Sequence, residues 1–122
     1  MGVNEVVAAY GAAWNETDEA ARRKLLDRGW ADDAVYCDPT ATVNGRDALV
    51  AHIAGFHQQF PGARIDQASG VDEHDGWLRF AWRMVAADGT TIMEGFDVGE
   101  LGTDGRLRRI IGFFGPFPSL DA

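Results

Sequence analysis

The sequence predicts a single α+β domain in which three helices precede a sheet of mainly antiparallel strands. Apolar residues recur at helical spacing through the first half of the chain, and the pattern then changes to an alternation of period two. Three Asp-Gly pairs, which are strong hairpin signals, punctuate the second half. The length of 122 residues suits one domain, 1–122, that folds without disulfides or metals.

Two helices are predicted near the start of the chain. The apolar residues of the first share i, i+3, i+4, i+7 spacing over about three turns: Val3, Val6, Val7, Tyr10 and Trp14. The second is predicted from Asp18 to Arg28, because Asp18 is an N-cap candidate and Gly29 is a typical helix stop.

A short extended run and a third helix are predicted next. The run Ala34–Asp38 should end at Pro39, because the residue before a proline favours extended geometry. The third helix begins after Asn44-Gly45 and ends at Pro61-Gly62. Its apolar stripe lies at i, i+4, i+7 and i+11: Leu49, Ile53, Phe56 and Phe60.

Four strands are predicted for the remainder, each rich in β-branched and aromatic residues: Arg64–Val71, Trp77–Val85, Thr91–Leu101 and Arg106–Phe114. The Asp-Gly pairs separate them, so the predicted order is an antiparallel meander. In the second of these strands Arg79 and Arg83 point to one face. The other face is apolar enough for a core or the wall of a ligand cavity: Leu78, Phe80, Trp82 and Met84.

Composition excludes several classes of partner. The chain has 19 acidic against 11 basic residues and a net charge of −8, so a nucleic acid or an anionic membrane is not an expected partner. Cys37 is the only cysteine, which rules out an intrachain disulfide and suits a small buried hydrophobe. No apolar run reaches the roughly 20 residues of a membrane span, and no signal segment is recognisable, so a cytoplasmic location is expected.

The order of elements and several strings of residues resemble the SnoaL-like branch of the nuclear transport factor 2-like superfamily. The strings are Tyr10–Asn15, Trp30–Pro39, and Phe96–Val98 with Asp104–Leu107 downstream. The resemblance implies a cone-shaped α+β barrel, in which a curved sheet wraps around the long helix and leaves a pocket at its open end. It also implies a homodimer through the outer face of the sheet. Superfamily members include ketosteroid isomerase, polyketide cyclases, limonene epoxide hydrolase and proteins without known activity, so the fold alone assigns no function.

Asp38 is the first candidate catalytic residue. It precedes Pro39 in a string similar to the isomerase segment whose carboxylate abstracts the substrate proton. Partial desolvation at the mouth of an apolar cavity would raise the pKa of such a carboxyl and make it a better base. The alternative from the residues alone is that Asp38 caps a turn around Pro39.

Proton abstraction beside a carbonyl needs donors for the developing oxyanion. In the isomerases these are a tyrosine on the first helix and a protonated acid on a late strand, and the resemblance implies Tyr10 and Glu94 for these roles. Tyr10 could instead be a core aromatic, and Glu94 an exposed strand residue.

Asp97 is the competing second carboxylate, because SnoaL-like cyclases resemble this segment and place an acid/base there. Strand parity puts Glu94 and Asp97 on opposite faces unless a bulge at Gly95 or Gly99 switches them. One of the two is expected inside the cone, and the sequence does not decide which. Asp97 could also form a cross-strand pair with an arginine of the preceding strand.

The remaining candidates are pocket aromatics and histidines. Residues that could line an apolar pocket, each also a core candidate, are Trp14, Trp30, Tyr36, Phe56, Phe60, Phe80, Trp82, Met84 and Phe113. His52 and His57 lie five apart on a helix, where metal-binding pairs are usually four apart, so no metal site is expected.

The expected function is a small-molecule enzyme of SnoaL-like type that uses Asp38 or Asp97 as general acid/base on an apolar, ring-containing substrate. The reaction would be double-bond isomerisation or aldol-type cyclisation, neither of which needs a cofactor; hydrolysis of an epoxide is a weaker version. The alternative is a ligand-binding or dimeric interaction module without turnover.

Overall fold

Three helices and seven strands form the fold in residues 2–121, which the computed structural model describes. The helices are α1 (Val3–Asn15), α2 (Glu19–Gly29) and α3 (Arg46–Gln59). The strands are β1 (Trp30–Asp38), β2 (Ala41–Asn44), β3 (Arg64–Gln67), β4 (Asp72–His74), β5 (Trp77–Val85), β6 (Thr91–Leu101) and β7 (Leu107–Phe114).

The strands form one sheet in the order β2-β1-β7-β6-β5-β3, and β4 pairs with β5 beside β3. All neighbours are antiparallel except β1 and β7, which run parallel. This confirms the predicted α+β cone fold, with three helices packed on a mainly antiparallel sheet, and the predicted meander from β5 to β7. The parallel pair joins the early hairpin to the end of the meander, so residues distant in sequence become neighbours at the centre of the sheet.

Local sequence signals set the helix boundaries. The Asp18 carboxylate accepts a hydrogen bond from the Ala21 backbone N–H at 2.9 Å and caps α2, as its sequence position predicts. Gly45 precedes α3 with φ of 87°, a backbone conformation that side chains disfavour and glycine adopts freely. Both helices therefore begin where the capping residues predicted.

A buried arginine fastens α2 to the rest of the helical layer. Arg22 is 3% exposed, and its guanidinium donates to the backbone carbonyls of Glu16, Thr17 and Val50 at 3.0, 3.3 and 3.1 Å. These bonds replace the hydration that the charged guanidinium group loses on burial. The arginine thereby links the α1–α2 connection to α3.

The structure differs from the prediction at two places in the sheet. The first strand is longer than Ala34–Asp38, and the unpredicted β2 pairs with it through a tight turn. The predicted strand Arg64–Val71 is interrupted, because the Ser69 hydroxyl accepts the Ala81 backbone N–H at 2.7 Å in place of a backbone carbonyl. The chain therefore divides there into β3 and β4, which both pair with β5.

The core lies between the helices and the inner face of the sheet. Its fully buried side chains come from all three helices and from β1 and β7, and include Leu26, Trp30, Leu49, Ile53 and Ile110. None of the helices in residues 2–121 is long and apolar enough to cross a membrane.

Candidate functional site

A cavity of about 460 Å³ opens between α1, α3 and the inner face of the sheet. Most of its lining is apolar or aromatic, as in small-molecule sites generally. The lining residues are Val7, Tyr10, Gly11, Trp14, Tyr36, Asp38, Thr40, His52, Gly55, Phe56, Gln59, Phe60, Ile65, Gln67, Phe80, Trp82, Met84, Met93, Asp97 and Phe114.

The helical wall is built by aromatic packing. The Trp14 ring meets the rings of Phe56 and His52 edge-on at centroid distances of 5.8 Å, and Tyr36 tilts against Trp14 at 5.5 Å. His57 does not enter the cavity lining; its Nε2 lies 2.7 Å from the Trp14 carbonyl oxygen and so joins α3 to the end of α1. These contacts hold the aromatic rings in fixed orientations.

The sheet wall follows from strand parity. Phe80, Trp82 and Met84 of β5 point inward and line the cavity, as the alternation of that strand predicts. Their neighbours Arg79 and Arg83 point to the outer face, where Arg79 pairs with Asp72 at 2.9 Å. The cavity face of the sheet therefore receives no positive charge from β5.

Asp97 is the buried carboxylate of this wall. It lies on the inward face of β6 and is 6% exposed, and the Trp82 indole N–H donates to its Oδ1 at 3.0 Å. Its Oδ2 accepts no hydrogen bond from the described residues, so this oxygen is available to a molecule in the cavity. The arginine pair considered from the sequence is wrong, because the β5 arginines occupy the opposite face.

Burial raises the pKa of Asp97 to about 7, because the ionised carboxylate loses its hydration in the apolar cavity. The Trp82 hydrogen bond opposes this increase, and the negative charge of Asp38 adds to it. Asp97 can therefore both hold and release a proton near neutral pH.

Asp38 has a different environment at the end of β1. Its Oδ1 accepts hydrogen bonds from the Thr40 backbone N–H at 2.7 Å, the Thr40 hydroxyl at 2.6 Å and the Ala41 backbone N–H at 3.0 Å. Its Oδ2 accepts the Tyr36 hydroxyl at 2.6 Å. Partial burial acts to raise the pKa of Asp38, but these bonds together outweigh it and hold the pKa below its ordinary value. Asp38 is therefore an ionised carboxylate at neutral pH.

Gly112 separates the two carboxyl groups. It lies on β7, between β1 and β6, and it is the register partner of Asp97. A Cβ atom at this position would lie 3.1 Å from Asp97 Oδ1 and 3.6 Å from the Asp38 Cβ. The missing side chain thus leaves the space into which both aspartates project.

Tyr10 and Tyr36 complete the polar part of the cavity. Burial is the largest cause that raises the pKa of each phenol above its ordinary value, and the nearby carboxylates raise it further. Both hydroxyls therefore keep their protons and can donate hydrogen bonds. Tyr10 is 3% exposed and its ring stacks on Trp30 at 5.5 Å, so it belongs to the core and to the cavity wall at once.

Three of the predicted site residues lie outside the cavity. Glu94 is exposed on the outer face of β6 opposite Arg83, because the β5–β6 register is regular from Glu94 to Asp97 and no bulge reverses the parity. Trp30 is fully buried in the core, and its indole N–H has no hydrogen-bond partner among the described residues. Phe113 is 47% exposed and stacks on Phe96 at 5.1 Å on the outer face. Placing these three side chains in the pocket was wrong.

The structure adds cavity residues that sequence reasoning missed. Phe114 faces inward and meets Trp82 edge-on at 5.8 Å, which the parity of Ile110 and Gly112 on the same strand would have indicated. Thr40 reaches the site only through the unpredicted β1–β2 turn. His52 lines the cavity as well, which its spacing from His57 does not indicate. No group of three metal-binding side chains occurs in residues 2–121.

The fold and the site together define a class: an α+β cone that holds an aromatic cavity with one ionised and one protonatable carboxyl group. A family model described as the SnoaL-like domain matches residues 7–110. This match covers most of the chain, and the chain belongs to the SnoaL-like domain family.

Solved structures with the same fold support this assignment. A SnoaL-like family protein from Agrobacterium tumefaciens, provisionally assigned as an isomerase, is 37% identical over 91% of this chain and 95% of its own, with a TM-score of 0.86. A protein of unknown function with a cystatin-like fold from Methylobium petroleophilum is 15% identical over 96% of this chain and 78% of its own, with a TM-score of 0.74. A provisionally assigned polyketide cyclase from Sinorhizobium meliloti is 17% identical over 88% of this chain and 92% of its own, with a TM-score of 0.69. A comparison with curated proteins found no match.

Proposed function

We propose that this protein is an enzyme that moves a proton on an apolar, ring-containing carbonyl compound held in the cavity. The products would be those of double-bond isomerisation or of aldol-type cyclisation. The observation that carries the proposal is the Asp97 carboxyl, which is buried in an aromatic cavity, has one oxygen that accepts no hydrogen bond from residues 2–121 and has a pKa of about 7. A general acid/base works best when its pKa lies near the operating pH.

The two carboxyl groups have different environments and therefore different roles. Asp38 is ionised and its carboxylate accepts four hydrogen bonds, from Tyr36, Thr40 and Ala41, so it is a weak base. Its charge is one of the causes that keep the pKa of Asp97 high. Two titratable groups with pKa values displaced in opposite directions are typical of acid/base sites. These contacts favour Asp97 over Asp38 as the proton carrier.

The proposed step starts with ionised Asp97, which is about half of the population at neutral pH. Its Oδ2 takes a proton from the carbon next to the substrate carbonyl, and the electron pair of the broken C–H bond moves into an enolate. The Tyr10 hydroxyl, which retains its own proton, donates a hydrogen bond to the enolate oxygen. In isomerisation, protonated Asp97 returns the proton to the far carbon of the conjugated enolate. In cyclisation, the enolate carbon forms a C–C bond to a second carbonyl carbon, the π bond of that carbonyl breaks, and the resulting alkoxide takes the proton from Asp97, which is thereby ionised again.

The test is exchange of α-protons for deuterium in apolar cyclic ketones, followed by NMR in D₂O. Asp97→Asn keeps the shape of the side chain but cannot take a proton, so exchange should fall by about 10²-fold or more. Glu94→Gln is the matched control, because it removes an exposed carboxylate from the outer face of the same strand. Exchange at the wild-type rate in Asp97→Asn, with a cyclic ketone that the wild type does exchange, would contradict the proposal.

One observation favours a second candidate, a binding module without turnover. The hydrogen bonds on Asp38 also stabilise the β1–β2 turn, which is the structural role that the sequence left open for it. In that case ketones would raise the melting temperature by binding the folded state while their α-protons would not exchange.

A further inference from the structure

The cavity carries negative charge without a positive counterpart. Asp38 and Asp97 both reach it, while none of the lining residues is lysine or arginine. The other side chains of the wall are aromatic, aliphatic or uncharged polar groups, apart from the single imidazole of His52. A carboxylate or phosphate in this cavity would be repelled by like charge in an apolar environment. The lining residues offer no lysine or arginine to offset that cost in free energy.

A second negative charge beside Asp38 is unfavourable in this apolar cavity, and a neutralising group lowers that cost. Asp38 is held ionised by four hydrogen bonds, so a proton on Asp97 is the simplest neutralising group. A cation placed against Asp97 Oδ2 would serve equally, since that oxygen lacks a protein partner among the described residues. The surrounding rings of Trp14, Tyr36 and Trp82 would add favourable contacts, because the face of an aromatic ring attracts cations.

We propose that the cavity also binds molecules that carry a protonated amine on an apolar body, and that the ammonium group replaces the proton of Asp97. The Asp97 O–H bond breaks, its proton passes to the solvent buffer, and an ammonium N–H donates to Oδ2. The net charge of the site is unchanged by this exchange. The inference concerns binding and goes beyond the proposed proton transfer, which an amine in this position would block.

The exchange makes amine affinity depend on pH. With a pKa of about 7, Asp97 is mostly protonated at pH 6 and mostly ionised at pH 8, so the affinity should rise about tenfold between these values. The other titratable groups at the cavity are Asp38 and Tyr36 from β1, Tyr10 from α1 and His52 from α3. The imidazole of His52 lies on the same cavity wall, so a variant at Asp97 has to show which group causes the pH dependence.

Three ligands with one body test the proposal by isothermal titration calorimetry: 1-adamantanemethylamine, 1-adamantanemethanol and 1-adamantanecarboxylate. The amine should bind about tenfold more tightly at pH 8 than at pH 6, and at pH 6 it should release about one proton to the buffer. The alcohol should bind with the same affinity at both values, and the carboxylate should not bind. Failure of the amine to bind at pH 8, or equal binding of amine and carboxylate, would overturn the proposal.

Two variants test whether Asp97 causes the pH dependence of amine binding. Asp97→Asn should lose the pH dependence and the proton release and weaken amine binding at pH 8, while it keeps its affinity for the alcohol, which also shows that the cavity is intact. Glu94→Gln should behave as the wild type. If Asp97→Asn kept the full tenfold dependence, titration of another group would be responsible and the proposal would fail. The two proposals can fail separately. If the wild type exchanges ketone protons but does not bind the amine, the proposal of amine binding fails and the proposal of proton transfer stands.

Discussion

At Asp97 the fold has to accommodate a carboxyl group in a place where its ionised form is poorly solvated. Asp97 is 6% exposed, and within the described part of the chain its carboxyl group accepts one hydrogen bond, from Trp82. Asp38, across Gly112, has both oxygens engaged and remains ionised. The two aspartates thus have pKa values displaced in opposite directions, and the difference arises from the number of donors and the degree of burial around each.

The raised pKa of Asp97 predicts how stability depends on pH. The ordinary value of 3.8 applies to the unfolded chain and about 7 to the folded chain. Between these values the folded protein holds a proton that the unfolded chain has lost, so the free energy of unfolding falls as the pH rises. Above about pH 7 both states are ionised at this residue and its contribution stops changing.

Asp97→Asn should remove this dependence. Relative to the wild type, the variant should gain up to about 3 kcal/mol in free energy of unfolding between pH 5 and pH 8. Urea unfolding at both pH values measures the difference, and Glu94→Gln provides the control because its carboxylate is exposed. If the difference in free energy of unfolding between variant and wild type were the same at pH 5 and pH 8, Asp97 would ionise as readily in the folded protein as in the unfolded chain.

At the scale of elements, the parallel pairing of β1 with β7 brings the two aspartates together. Asp38 ends β1, Asp97 lies in β6, and β7 runs between them with Gly112 next to both side chains. The strand that separates the two carboxyl groups therefore has to carry a residue without a side chain at this level.

Gly112→Ala tests this arrangement. The new Cβ would lie 3.1 Å from Asp97 Oδ1, so the carboxyl group has to move. We expect a loss of about 1–3 kcal/mol in stability, as for other overpacked sites, together with a changed Asp97 pKa and, under the proposed function, slower ketone exchange. Gly99→Ala is the control, because its Cβ would crowd Ile110 and Leu78 but neither carboxyl group. If both variants changed the Asp97 pKa equally, general strain in the sheet would explain the effect.

The sequence predicted the helices and the meander because each has a strong local signal. The stripe of α3, the cap at Asp18 and the Asp-Gly turns needed no knowledge of distant contacts. The parity rule also placed Asp97 and Glu94 on opposite faces correctly, but it could not say which face the helices cover. That choice depends on β1 pairing with β7, which brings together residues far apart in the chain and leaves no local pattern.

The misplaced aromatic residues have the same cause. Trp30 and Phe113 are aromatic, like the residues that line the cavity. Only the packed structure shows that Trp30 belongs to the core and Phe113 to the outer face of the sheet. Thr40 lies in the short turn between β1 and β2. Strand β2 has four residues, which are too few for a period-two pattern to identify it in the sequence.

For the whole molecule, the outer face of the sheet predicts association. Phe96 and Phe113 stack at 5.1 Å, Phe117 lies 5.7 Å from Phe96, and Phe113 and Phe117 are 47% and 84% exposed. Exposed aromatic clusters of this kind are typical of protein interfaces. We propose that two copies pair through this face.

Sedimentation equilibrium tests the proposed homodimer. The wild type should sediment as a dimer, and Phe113→Glu should shift it to a monomer, because the substitution places a charge in the apolar face. Glu94→Gln, on the same outer face but without loss of apolar area, should remain dimeric. A wild-type monomer at high protein concentration would contradict the proposal.

Asp97 is expected to gain and lose its proton near pH 7 beside an ionised Asp38. The most direct measurement is the ¹³C NMR titration of aspartate carboxyl carbons, assigned with Asp97→Asn and Asp38→Asn. Asp97 should titrate near pH 7, and Asp38 should titrate below its ordinary value of 3.8. Titration of Asp97 near pH 4 would contradict its assignment as the buried proton carrier.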